Sequence, residues 1–295
     1  MGAKNRRILW GSDRNTLVYL LGINALVYIM LRMLYVIFQN NADTRDTEYH
    51  GLISQFILNG NAGEFIRKPW TLFTHFFTHT SFSMFFSNMI WLFSFSWLLQ
   101  SVAGNRYIFP AYFYGGVLSG IVFLLMNLFV PAQPGATLLT GATAATFGVS
   151  ATAVTLAPNV RVFPFIRNGI PVWVLLAVFV AIDMISLALT RPVLIPVHLA
   201  GLLAGYGYAF YLTRGYDLGA WTSTLYDYLT GKKIKTASNS GSDKKFYTDD
   251  TQPFEKRMKV SQATIDEILD KINEHGYGSL TLEEKEVLKK AKHEL

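Results

Sequence analysis

The chain has no cysteine, which excludes disulfides and thiolate metal sites and leaves the redox compartment open. Charge is also scarce: Asp, Glu, Lys and Arg make up 16% of 295 residues, while 51% are hydrophobic. With a mean hydropathy of +0.27 the chain is too apolar for a soluble domain of this length. The start does not read as a cleavable leader either. The basic start, Met1 to Asn15, leads into a 22-residue apolar run with no small-residue cleavage site, which predicts a retained membrane helix. No internal repeat is visible.

Long apolar runs are what the chain has instead. Six spanning helices are predicted at roughly 17–38, 83–103, 107–130, 139–157, 171–190 and 193–213. The fourth is short and rich in Gly, Ala and Thr, as suits a helix buried among others. With the N-terminus inside, the inner face up to residue 213 holds Lys4, Arg6, Arg7, Arg14, Arg106, Arg161 and Arg167 against Asp13. The other face holds Arg45, Arg67, Lys68 and Arg191 against Asp43, Asp46, Glu48 and Glu64. This bias predicts cytoplasmic N- and C-termini. It also accounts for the formal charge of +6 without nucleic-acid binding.

The predicted fold class is all-α: a polytopic bundle of six transmembrane helices with a small soluble helical hairpin. Residues 1–214 form the membrane domain. Its outer loop, 39–82, is rich in aromatic and aliphatic residues and is expected to pack on the bundle at the lipid interface. Residues 215–260 read as an interfacial segment and flexible linker. Residues 261–295 form the hairpin. Ser261 would cap its first helix, Ile265, Ile268, Leu269 and Ile272 its apolar face, and Gly276 its stop. Thr281 and Glu284 make a capping box for the second. The tail's cytoplasmic partner is unknown.

Polar groups inside the apolar segments carry the chemistry. Thr143 lies in Gly141-Ala142-Thr143-Ala144-Ala145, and 55 residues later comes Val197-His198-Leu199-Ala200-Gly201. A hydroxyl and an imidazole are costly in lipid unless they face a partner or water, and together they are the minimum unit of nucleophilic catalysis. Upstream stand Trp70-Thr71-Leu72-Phe73-Thr74-His75-Phe76-Phe77-Thr78-His79, then Asn88-Met89, then Tyr114-Gly115-Gly116. Ser150, two turns beyond Thr143, is no substitute nucleophile. His75 and His79 are read as packing residues, since no third ligand accompanies them. No metal or other cofactor is expected. Arg32 and Asp183 lie at similar depth in their spans, placed to pair or to reach water.

In order, spacing and topology, residues 15–213 resemble the rhomboid family of intramembrane serine proteases, and the tail resembles the helical extension of some bacterial rhomboids. The resemblance implies an integral protein of the bacterial inner membrane. It implies an endopeptidase that cleaves transmembrane substrates near the outer face, with membrane lipid and transmembrane proteins as its partners. It puts the nucleophile at Thr143 and the general base at His198, with the two in hydrogen-bond reach. The oxyanion donors fall at Asn88, Met84 and the backbone N–H of residue 143. Gly141 belongs to the nucleophile motif, Phe147 would stack beneath the imidazole, and Gly201 and Gly205 would let the sixth helix approach the fourth. Two residues depart from the family: Thr143 replaces serine, and Met84 replaces a histidine. Serine-type hydrolysis with a Thr143/His198 dyad is therefore one expectation. A catalytically inactive rhomboid-like protein that binds transmembrane helices is the alternative. A small-solute transporter lacks support, since paired broken helices with midplane charges are missing.

Overall fold

The structure, a computed structural model, describes residues 15–39, 51–129, 138–163, 169–229, 262–275 and 281. The chain divides into two compact units, 1–253 and 254–295.

The first unit is a helical bundle. Helix α1, Thr16–Gln39, starts where Asn15 accepts from the Val18 N–H. Between it and the next span lie a two-residue strand, β1 (Leu58–Asn59), and two short helices, α2 (Ala62–Arg67) and α3 (Thr71–Thr74). Ser81 caps α4, Phe82–Val102, through the Met84 N–H at 3.3 Å. Helix α5 spans Ile108–Phe129. Strand β2, Leu138–Leu139, pairs antiparallel with β1 and leads into α6, Thr143–Leu156. A second two-residue ladder joins β3 (Arg161–Val162) to β4 (Ile170–Pro171). Helix α7, Val172–Thr190, turns back through Pro192–Leu194 into α8, Ile195–Thr213, which carries proline in its first turn. The amphipathic α9, Ala220–Leu229, follows.

Five of these helices are long and apolar enough to cross a membrane: α1, α4, α5, α7 and α8. With α6 among them, the chain is a polytopic helical membrane bundle.

The fourth span differs from expectation. A helix over 139–157 was predicted; α6 has only 14 residues and starts at Thr143. The cause is Gly141, whose φ of +97° ends any helical path entering from the N-terminal side. At 1.5 Å per residue α6 is ~21 Å long, shorter than the ~30 Å hydrocarbon core. The extended residues before it are satisfied by protein: Gly141 donates its N–H to the His75 carbonyl at 2.9 Å, and β1 pairs with β2. Irregular backbone is tolerated at membrane depth only with such partners.

Helix α6 is the centre of the bundle and packs against α8, α5 and α4. Almost every side chain along it is buried. Glycines set the spacing. A Cβ on Gly205 would stand 2.1 Å from the Gly148 carbonyl oxygen, and one on Gly201 2.1 Å from that of Ala144. Thr152 then donates its hydroxyl to the Gly148 and Gly205 carbonyls at 2.8 and 3.0 Å, joining α6 to α8. On the opposite side, Tyr112 of α5 sends its hydroxyl to the Phe76 carbonyl at 2.7 Å and to Asn24 of α1 at 3.2 Å.

In the second unit the structure describes α10, Gln262–His275, with Ile268 buried. The expected cap at Ser261, the stop at Gly276 and the second helix of the hairpin lie outside the described residues, apart from Thr281.

Candidate active site

Thr143 is the first residue of α6. A threonine inside a helix can return its hydroxyl to a carbonyl one turn back, but here no helical turn precedes it. The hydroxyl donates instead to Asn88 Oδ1 of α4 at 3.0 Å. No hydrogen bond joins Thr143 to His198, so the expected contact of the dyad is not made in this state. Asn88 is buried, with 4% of its surface accessible.

Met84 stands one turn before Asn88. Its methyl group lies against Gly141, where a Cβ would come within 2.0 Å of it. Gly141 therefore serves two purposes. Its positive φ starts α6 at Thr143, and its missing side chain makes room for Met84. The thioether also accepts a weak hydrogen bond from the Thr80 hydroxyl at 3.8 Å. A methyl group, not a hydrogen-bond donor, thus faces Gly141 from α4.

His198 projects from α8, and its Nδ1 meets Asp183 Oδ2 of α7 at 2.7 Å. Asp183 was expected to pair with Arg32 or to reach water. Its partner is His198, whereas the Arg32 guanidinium lies over the Tyr35 ring at 5.1 Å. The sequence did hold a signal for this. The turn at Arg191–Leu194 folds α7 and α8 into a hairpin. Asp183 stands eight residues before Arg191 and His198 seven after it, so the hairpin brings them to one level. A carboxylate on Nδ1 favours that nitrogen as the N–H donor and leaves Nε2 as the ring nitrogen turned away from Asp183.

Phe147 meets the imidazole differently than expected. Its ring is 6.4 Å from the His198 ring and nearly perpendicular to it, at 79°. Its closer partner is Phe179 of α7, at 4.5 Å. Phe179 in turn stacks on Trp91 of α4 at 4.6 Å, so an aromatic row crosses from α4 through α7 to α6.

His75 and His79 lie beside the site without belonging to it. The Nδ1 of His75 contacts the Thr71 carbonyl at 3.0 Å, and that of His79 the Phe77 carbonyl at 3.2 Å. Burial pushes each imidazole down from the ordinary 6.5 to about 4, against the weaker opposing pull of those backbone contacts. Among the described residues no three His, Asp or Glu side chains come together to hold a metal.

Known families match the two parts of the chain separately. The rhomboid domain matches residues 67–215. Residues 248–291 match a family of unknown function, DUF6576. No curated protein matches. The rhomboid match covers just over half of the chain and contains Asn88, Thr143, Asp183 and His198. The chain belongs to the rhomboid family.

Proposed function

We propose that this rhomboid binds transmembrane helices without rapid peptide hydrolysis. The observation that carries the reading is the direction of the Thr143 hydroxyl, whose proton goes to Asn88 Oδ1 at 3.0 Å. A nucleophile must hand that proton to its base. Here the acceptor is an amide oxygen, which is too weak a base to take it.

The oxyanion side points the same way. An Asn88 that accepts from Thr143 directs its oxygen, not its N–H₂, at the reacting atom. Met84 contributes a methyl group where a donor is required. Loss of one oxyanion donor lowers turnover by roughly 10²–10³, and the β-methyl of threonine further restricts the attacking rotamer. What remains is a recessed polar site in an apolar bundle, bordered by helices that a transmembrane segment can lie against.

A second reading is favoured by one specific contact. The Asp183–His198 pair at 2.7 Å fixes the tautomer that a general base needs. In that reading Thr143 turns from Asn88 to His198 Nε2 when a substrate arrives. His198 takes the proton, Thr143 Oγ1 attacks the peptide carbonyl, and the Asn88 side chain and the residue 143 N–H hold the oxyanion. His198 then returns the proton to the leaving amine, and water hydrolyses the ester.

The two readings separate in proteoliposomes holding a labelled transmembrane substrate. The binding reading expects the intact helix to be retained by the wild type and by Thr143→Val alike, with no product. Product from the wild type that vanishes in Thr143→Val and His198→Ala would establish the protease reading instead.

A further inference from the structure

We propose that the segment between α1 and α4 holds the headgroup of a zwitterionic aminophospholipid, at a site distinct from Thr143. The inference goes beyond the reading of the Thr143 site and does not depend on it. A cavity of about 240 Å³ opens there. Lys68, Glu64, Ser54 and Asn59 line it, together with the apolar Ile57 and Leu138.

The charges are arranged in opposite pairs. Lys68 Nζ donates to Ser54 Oγ at 3.0 Å and stands 3.9 Å from Glu64 Oε2, too far for a hydrogen bond. Two of its three N–H donors therefore remain for a ligand anion. The other Glu64 oxygen faces Arg67 at 3.3 Å, which leaves Oε2 to accept from a ligand cation. A phosphodiester fits Lys68, and a primary ammonium two carbons away fits Glu64. Choline has no N–H to give to Glu64, and a glycerol headgroup brings no positive charge.

The surroundings favour lipid as the source. Ile66 is 76% exposed, and Trp70 and Phe73 of the same stretch are also open. The Trp70 indole donates to the Gln55 carbonyl at 2.8 Å, while about half of the residue stays exposed. Exposed aromatic and aliphatic residues beside charged ones are the pattern of a membrane interface. The cavity is also joined to the site by backbone. Leu138 of β2 forms part of its lining, and the chain runs from there to Gly141 and Thr143.

The test uses the full chain in nanodiscs of phosphatidylcholine doped with phosphatidylethanolamine or phosphatidylglycerol, followed by native mass spectrometry of retained lipid. The wild type is expected to keep one phosphatidylethanolamine about tenfold better than phosphatidylcholine, as for one charge-assisted contact. Lys68→Gln should lose that retention, and Lys68→Arg, which keeps the charge, should preserve most of it. Glu64→Gln should abolish the preference for ethanolamine over glycerol headgroups. Equal retention of phosphatidylcholine, or an unchanged preference in Lys68→Gln and Glu64→Gln, would overturn the proposal. Full displacement by soluble glycerophosphoethanolamine would also overturn it, by making a free phosphodiester the ligand.

Discussion

Two glycines on one helix should respond to the same substitution with opposite signs. Gly205 and Gly207 both lie in α8. A Cβ on Gly205 would sit 2.1 Å from the Gly148 carbonyl oxygen and 2.8 Å from its carbonyl carbon, whereas one on Gly207 meets nothing within 4 Å. Replacing glycine by alanine in a helix gains ~0.5–1 kcal/mol from backbone entropy. At Gly207 nothing opposes that gain. At Gly205 the obstacle is backbone of α6, which cannot rotate away, so the helices must part by ~1 Å to restore normal van der Waals distance. Overpacking of this kind costs ~1–3 kcal/mol. The Thr152 bond to the Gly205 carbonyl, 3.0 Å long, stretches with it and loses ~1 kcal/mol more. The net expectation is a loss of ~1–3.5 kcal/mol for Gly205→Ala and a gain of ~0.5–1 kcal/mol for Gly207→Ala. Reversible unfolding in mixed micelles, followed by tryptophan fluorescence, measures both. If Gly205→Ala proves as stable as Gly207→Ala, the close approach of α6 and α8 is wrong, and with it the positions of Thr143 and His198.

Acid should loosen the segment around His75 and His79. Both imidazoles are held neutral by burial, with values lowered from 6.5 to about 4. Their stability is intact above 6.5 and is lost as the pH falls from there toward 4, by up to ~3 kcal/mol for one histidine. Amide protection in residues 71–80, taken relative to the intrinsic exchange rate at each pH, should fall between pH 7 and pH 4.5; unchanged protection would refute the burial. Gly141→Ala should destabilise by ~2–4 kcal/mol, through its φ of +97° and the overlap with Met84. Adding Met84→Ala should restore part of that loss in a double-mutant cycle, and strict additivity would deny the contact. Tyr112→Phe removes the bonds to the Phe76 carbonyl and to Asn24 and should cost ~1–3 kcal/mol in the same unfolding assay, a neutral result counting against the link between α1, α5 and residue 76.

The spans were legible in the sequence because a membrane helix needs only length and apolarity, and α1, α4, α5, α7 and α8 supply both. The start of α6 was not, because composition does not reveal that Gly141 takes a positive φ. That one torsion decided the site as well. Read as mid-helix, Thr143 has a carbonyl one turn back to bond; as the first residue of α6 it has none, and its hydroxyl turns to Asn88. Asp183 was missed for a different reason. Depth in the membrane matched it with Arg32, whereas register across the α7–α8 turn matches it with His198. Phe147 was placed by position alone, and position does not fix ring orientation. Phe179, invisible from the motif, is the nearer ring to it.

The most direct test of the account is a gain of turnover. Cleavage of a fluorogenic transmembrane substrate is measured in proteoliposomes for the wild type, Thr143→Ser, Thr143→Ser/Met84→His, and that double variant carrying His198→Ala. The serine frees the attacking rotamer, and the histidine returns an oxyanion donor worth ~10²–10³ in rate. The account predicts no measurable turnover by the wild type, cleavage by the double variant, and its loss with His198→Ala. Measurable turnover by the wild type would contradict it, because the hydrogen bond from Thr143 to Asn88 would then be no obstacle to catalysis.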